Sequence, residues 1–127
     1  MDFKQIKLIE KKMNTQENNK LIAEFMGMIR HDQDEGCMIQ MTHQGNKVVL
    51  VSSMKYHSSW DWLMSVVDKI FSLGYDYEIK PRYMVIKERL SSEVLVSKCF
   101  VYDKSQKEII YDAVVEFINE YNKHKNT

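Results

Sequence analysis

The clearest pattern of apolar and polar positions lies between residues 58 and 74. Polar residues fill one arc of this segment, Ser58 or Ser59 offers an N-cap, and Gly74 follows the last turn. The pattern predicts an amphipathic helix from about Ser58 to Leu73 that serves as the central packing element. Counted from Trp60 at about 100° per residue, its apolar arc also holds Leu63, Met64, Val66, Val67, Ile70 and Phe71.

Other stretches also have helical spacing. Residues 1–14 carry an apolar side chain every three or four positions and predict a short helix or a docked N-terminal arm. A further helix is predicted after a cap at Asn14 or Thr15, with Gly27 near its end. The last helix begins with a capping box from Ser105 to Glu108, and residues 123–127 are predicted to fray.

Two hairpins are predicted between these helices. Cys37–Thr42 pairs with Lys47–Ser52, whose apolar run over 48–51 predicts a central strand covered on both faces. Tyr77–Lys87 pairs with Glu93–Tyr102, and Pro81 places the third strand at an edge or delays its start. The order helix, hairpin, helix, hairpin, helix predicts an α+β fold with one four-stranded antiparallel sheet packed with helices.

Composition adds limits to this picture. A chain of 127 residues with 44% hydrophobic residues predicts one domain over residues 1–127. Its 18 basic and 18 acidic residues balance, so the whole molecule presents no dominant field to nucleic acid or anionic lipid. No apolar run is long enough for a signal peptide or a membrane span, and we therefore expect a cytoplasmic protein without membrane contact. Cys37 and Cys99 are predicted to be buried, reduced thiols.

Three segments carry a resemblance to a known family. They are Leu21–Gly27, Tyr56–Met64 with its run Tyr-His-Ser-Ser-Trp-Asp-Trp-Leu-Met, and Ala113–Asn122. Their order resembles a family of small uncharacterised proteins of Bacteroidetes bacteria and their phages. Members often carry a proline at the position of Ser65 and a tryptophan near Glu120, and this chain departs from both. The resemblance implies a shared fold and a bacterial cytoplasm, or that of an infected host, but it brings no activity.

Catalysis is the first functional class to weigh. His57, Ser58, Ser59 and Asp61 contain the residue types of a Ser–His nucleophile system. However, the acid and the hydroxyls are neighbours in one helical turn, no Gly-x-Ser-x-Gly elbow exists, and capping is sufficient to explain the serines. The histidines and cysteines lack zinc-site spacing, and there is no glycine-rich phosphate loop. We therefore expect a non-catalytic protein without metal or cofactor.

A binding site is predicted at the start of the central helix, around Tyr56, His57 and Trp62. Free backbone N–H groups, a half-exposed indole at the margin of the apolar arc and a titratable imidazole would meet there. Trp60 is predicted to lie in the core. The expected function is docking on a protein partner, including self-association.

The alternative is nucleic-acid or nucleotide binding by the second hairpin or by the helix start at Ser58. Cations and stacking rings on a sheet are how several single-strand binders work. Three glutamates dilute this basic, tyrosine-rich surface, so both hypotheses stay open. Its candidate residues are Lys80, Arg82, Tyr83, Lys87 and Arg89.

Overall fold

The predicted α+β class is confirmed, but the strands form two separate three-stranded antiparallel sheets. The prediction of a single four-stranded sheet is therefore wrong. The computed structural model describes residues 2–81, 83–99 and 104–125. By its internal contacts the chain divides into two units, Met1–Met54 and Lys55–Thr127, and each has its own sheet. The single domain expected from the length stays a prediction.

Helix α1 (Phe3–Phe25) is one continuous helix capped by Asp2, whose carboxylate accepts a hydrogen bond from the Lys4 amide at 3.4 Å. The predicted division of this segment at residue 14 is wrong. Neither glycine nor proline occurs within the helix, so nothing interrupts its hydrogen-bond ladder. The helix ends at a Schellman motif, in which Gly27 has a φ of +102° and the Met28 amide donates to the Ala23 carbonyl at 2.9 Å.

The first sheet contains β1 (Ile29–Arg30), β2 (Cys37–Thr42) and β3 (Gly45–Leu50) in that order. Strand β3 lies at the edge, so the prediction of a central, covered strand is wrong. The chain leaves the sheet at Val51, where a short 3-10 turn (Val51–Ser53) begins. The apolar run is thus divided between an edge strand and a turn, and only Val51 of that turn is buried.

Helix α2 (Trp60–Ser72) confirms the most distinct pattern in the sequence. Leu63, Val66, Val67 and Ile70 are all completely buried, and each such burial contributes roughly 1.5–3 kcal/mol relative to an exposed side chain. The buried stripe is narrower than the predicted arc. Trp60 and Phe71, which stand near the two ends of the helix, are 43% and 50% exposed.

The second sheet is a meander of β4 (Tyr75–Lys80), β5 (Tyr83–Glu88) and β6 (Val94–Cys99). The predicted strand Tyr77–Lys87 is in fact two strands, because the chain reverses at Pro81. Proline has no N–H to donate to a ladder and its fixed φ suits a turn, so it stands between the strands. Strand β4 then lies at an edge, and the residues 100–102 expected at the end of the last strand lie outside the described residues.

Helix α3 (Gln106–Lys125) begins with the predicted capping box. The Glu108 amide donates to the Ser105 hydroxyl at 3.2 Å, and the Glu108 carboxylate accepts from the Ser105 amide at 3.5 Å. The helix continues to Lys125, beyond the point at which fraying was expected. Its buried face, which packs mainly against β5 and β6, contains Ile109, Ile110, Ala113, Val114, Phe117 and Ile118.

Substitution of Val67 by aspartate should unfold the Lys55–Thr127 unit, because it places an unpaired charge at a completely buried position. Ser65→Asp, which adds the same charge to an exposed position of α2, is the matched control and should leave the melting temperature within a few degrees. Circular dichroism during heating measures both. A Val67→Asp protein that melts cooperatively at the wild-type temperature would contradict the assignment of α2 as the central element.

Candidate functional site

The start of α2 is organised by Ser59, which has the extended backbone of an N-cap. Its hydroxyl oxygen accepts a long hydrogen bond of 3.5 Å from the Trp62 amide, and Asp61 adds a negative charge to the first turn. Both features are favourable at the positive end of the helix dipole. The hydroxyl that a nucleophile hypothesis would need is therefore explained by a structural role.

Tyr56 and Trp62, two of the predicted binding residues, pack on each other. Their ring centroids are 5.0 Å apart and the planes meet at 79°, an edge-to-face contact. Tyr56 is only 3% exposed, and burial raises the pKa of its phenol. Trp62 is half-buried. The structure thus brings these two residues together, but Tyr56 supports the indole from within the core and offers little surface to a partner.

The exposed indole at this end of the helix is that of Trp60, which sequence reasoning had placed in the core. The Lys107 ammonium lies 5.7 Å from its ring centroid, within cation–π range. The same Nζ atom donates to the Ser58 carbonyl at 3.0 Å. Lys107 on α3 therefore fixes the chain that leads into α2. Nothing in the local periodicity reveals this, because Lys107 is 47 residues further along the chain than Trp60.

His57 is exposed at the same end and lies against Tyr111, with 6.3 Å between ring centroids. Partial burial lowers the pKa of His57 below its ordinary value, which favours the neutral imidazole. Burial, and then the Asp112 carboxylate, raise the pKa of Tyr111 well above its usual range.

We call His57, Trp60 and Lys107 the α2 entry surface. It presents an imidazole, an indole and one cation.

The second hairpin does not present its tyrosines together. Residues directly paired across antiparallel strands share a face, and Tyr75 and Tyr77 lie on the face that also carries the buried Ile86. Tyr83 and Lys80 pair on the opposite face. The stacking platform required by the nucleic-acid hypothesis is therefore split between the two faces of the sheet.

Two cations of this hairpin, Lys80 and Arg89, are paired with carboxylates. Lys80 Nζ lies 3.3 Å from a Glu78 carboxylate oxygen and 5.6 Å from the centre of the Tyr83 ring. Interaction with the Tyr83 hydroxyl, and then with Glu78, raises the pKa of Lys80. Lys87 stands directly across from Asp76 in the β4–β5 register. Arg82 lies outside the described residues.

Arg89 contacts the C-terminal end of α2. Its guanidinium donates to the Phe71 carbonyl at 2.7 Å, contacts Asp76 at 3.2 Å and lies 4.3 Å from the centre of the Phe71 ring. A cation that hydrogen-bonds the last carbonyls of a helix stabilises its negative end. Arg89 thus joins the end of α2 to the start of β4.

The two cysteines differ in environment. Cys37 is 8% exposed, and its thiol donates to the Asp34 carboxylate at 3.4 Å. Burial, and then this carboxylate, raise the pKa of Cys37, which disfavours the reactive thiolate. Cys99 is exposed, so the prediction of burial is wrong for that residue.

Each unit contains a cavity. A cavity of about 360 Å3 in the first unit is lined by charged residues that include Lys20, Arg30, Asp34 and Glu35. The Lys20 ammonium within it pairs with Glu17 at 3.3 Å. A cavity of about 280 Å3 in the second unit is lined mainly by aromatic and acidic residues of β4, β5, α3 and the segment that leads into β6. Sequence reasoning missed both, because the walls of each cavity come from more than one element of the fold.

Two negative findings apply to the described residues. Within residues 2–81, 83–99 and 104–125, no group of three or more His, Cys, Asp or Glu side chains is placed to hold a metal ion. No helix in the same part of the chain has the length and apolar character needed to cross a membrane. Comparisons with protein-family models, with curated proteins and with solved structures found no match.

The exposure of the two tryptophans can be compared by fluorescence. Trp62→Phe leaves the exposed indole of Trp60, and Trp60→Phe leaves the half-buried indole of Trp62. Acrylamide should quench the Trp62→Phe protein more strongly, and its emission should lie at longer wavelength. Stronger quenching of the Trp60→Phe protein, with both variants folded, would contradict the placement of the two rings.

Loss of the Arg89 contacts should destabilise the second unit. Because the side chain is partly exposed, we expect Arg89→Ala to lower the free energy of unfolding by about 1 kcal/mol, mainly through the lost hydrogen bond to the Phe71 carbonyl. Lys87→Ala, in the same hairpin, should change it by less than about 0.5 kcal/mol. Urea unfolding provides both values, and equal effects would show that Arg89 has no special structural role.

Proposed function

We propose that this chain is a non-catalytic interaction protein that acts by docking on another protein chain, with a second copy of itself as the partner. The proposal includes the accessory role in a bacterial or phage-infected cytoplasm that the family resemblance implies. The observation that carries it is an uncharged, mostly apolar face of the first sheet. This face is defined by Ile29, Ile39, Met41, Val48 and Leu50, and the same side also carries the polar Asn46 and the buried Cys37.

The strand register determines which side chains share this face. Ile29 pairs with Ile39, which pairs with Val48, so the three form one row across the sheet. Met41 and Leu50 lie on the same side because side chains alternate along a strand. Four of the five members are well exposed: Ile29 by 48%, Met41 by 62%, Val48 by 57% and Leu50 by 56%.

The charge distribution of the sheet favours a second copy as the occupant. Arg30 and Lys47, the charged residues of the three strands, both lie on the opposite face by the same register. Two copies could thus bring their apolar faces together without placing like charges opposite each other. Face-to-face packing of two sheets is a common way to form an apolar core.

The size of the face supports a weak dimer. The four exposed side chains present on the order of 400 Å2, which falls in the range of functional apolar patches. A standard stable interface buries about 800 Å2 per partner, so residues around the face would have to supply the remainder. A dissociation constant in the micromolar range is therefore expected.

Nucleic-acid binding has less support. The tyrosines of the second hairpin are divided between two faces, and Lys80 and Arg89 are engaged with acidic neighbours. Electrostatic affinity for a phosphate backbone needs cations that are available to replace its counterions.

Sedimentation velocity over a roughly hundredfold dilution tests the proposed dimer. Wild-type protein should show a concentration-dependent shift between monomer and dimer. Leu50→Lys should raise the dissociation constant of the dimer at least tenfold, because it would bury one lysine charge from each copy at the interface. Gln40→Lys, which adds the same charge to an exposed position on the opposite face, should dimerise as wild type does. Thermal melts verify that both variants are folded.

The proposal is wrong if wild-type protein stays monomeric throughout this range. It is also wrong if the two lysine variants dimerise equally well, since the apolar face would then not be the interface.

A further inference from the structure

The cavity of about 280 Å3 in the second unit combines aromatic rings with carboxylates. Tyr75 of β4 and Phe117 and Tyr121 of α3 supply the rings. Glu88, Glu93 and Glu120 supply the carboxylates, and Leu95 and His124 complete the lining. All these residues belong to the same unit. This site is separate from the apolar face of the first sheet, and the argument for it does not depend on the proposed dimer.

The aromatic part of the cavity is a connected cluster. The Tyr75 and Phe117 rings meet edge to face with centroids 4.9 Å apart, and the Phe117 and Tyr121 rings are stacked at 5.9 Å. Phe117 is buried, while the two tyrosines are partly exposed. Burial, and then the charge of Glu88, raise the pKa of Tyr75, so its ring stays a neutral phenol. Electron-rich faces of such rings attract cations.

The acidic part is brought together by the second sheet and α3. Glu88 stands directly across from Tyr75 in the β4–β5 register. The Glu88 amide donates to the Glu93 carbonyl at 2.8 Å, so the two residues are held close at the end of the meander. Glu120 lies one residue before Tyr121 on α3 and pairs with the exposed Lys123 at 3.2 Å. One ammonium therefore offsets one of the three acids.

Two properties of this cavity define the class of ligand. Carboxylates that line one concave wall attract positive charge, and a bound cation would lie close to all of them. A metal ion does not fit, because the described residues contain no set of three ligating side chains placed to hold one. An organic cation is larger, needs no close coordination and gains from contact with aromatic faces.

We propose that this cavity binds an alkylated ammonium ion, either a free small molecule or the side chain of a methylated lysine. The two sources share one chemistry, a positive charge spread over methyl groups that contact the tyrosines and face Glu88 and Glu93. The cavity lies just below the usual volume range for ligand pockets, which favours a head group of this size over a drug-sized molecule.

Amide chemical shifts of the full chain, titrated with choline, provide the test. Choline should cause saturable shifts at Tyr75, Glu93 and Tyr121 with a dissociation constant in the millimolar range or tighter. The neutral compound 3,3-dimethyl-1-butanol has the same shape without the charge, and it should cause no saturable shifts. A short peptide with trimethylated lysine serves as a third ligand. Tighter binding of the peptide than of choline identifies a protein side chain as the source, and the reverse order identifies a small molecule.

Variants localise the effect. Glu93→Gln and Tyr121→Leu should each weaken choline binding at least threefold. Glu116→Gln is the control, because this α3 carboxylate pairs with Lys98 and does not line the cavity. The Glu116→Gln variant should bind choline with the same affinity as wild-type protein. The proposal is overturned if the neutral compound binds as well as choline, if folded wild-type protein shows no saturable shifts with either cation, or if all three variants bind alike.

Discussion

The architecture of both units depends on one constraint: a sheet of only three antiparallel strands cannot cover its own faces, so other elements must pack on it and part of its surface stays exposed. The exposed side chains of the two sheets differ in chemical character. In the second sheet, polar and charged side chains such as Asp76, Glu78 and Lys80 share the face opposite the buried Ile86. In the first sheet, the face that carries Val48 and Leu50 is uncharged, and Asn46 is its one polar member. That contrast within one chain is the physical basis of the proposed docking function.

Charge pairing engages two cations of the basic second hairpin. Arg89 binds the end of α2, and Lys80 interacts with Glu78 and Tyr83. These contacts use cations that a nucleic-acid binder would present to phosphates. The acidic residues around the nearby cavity are different, since Glu88 and Glu93 line a wall shared with Tyr75. The cavity of the second unit thus has an acidic lining, whereas two cations of the hairpin are paired.

Local signals were sufficient where a short segment determines its own structure. The stripe of α2 was predictable because apolar residues at helical spacing share one face, and four of the seven predicted members are completely buried. The capping box from Ser105 to Glu108 was predictable because both of its hydrogen bonds close within one turn. The candidate site was only partly predictable. Trp62 is half-buried as expected, but Tyr56 is buried and the exposed indole is that of Trp60.

The sequence by itself determined the α+β class and the start and end of α2. Pro81 also indicated a break in regular strand structure, but the prediction did not foresee that it divides one predicted strand into two. Only the tertiary structure decided which apolar residues are covered. Val48 and Trp60 lie in strongly apolar segments, yet both are exposed, because burial depends on what packs above a residue. The covering or pairing element can be far away in the chain, as Lys107 is from Trp60. Periodicity describes one element at a time and holds no information about that partner.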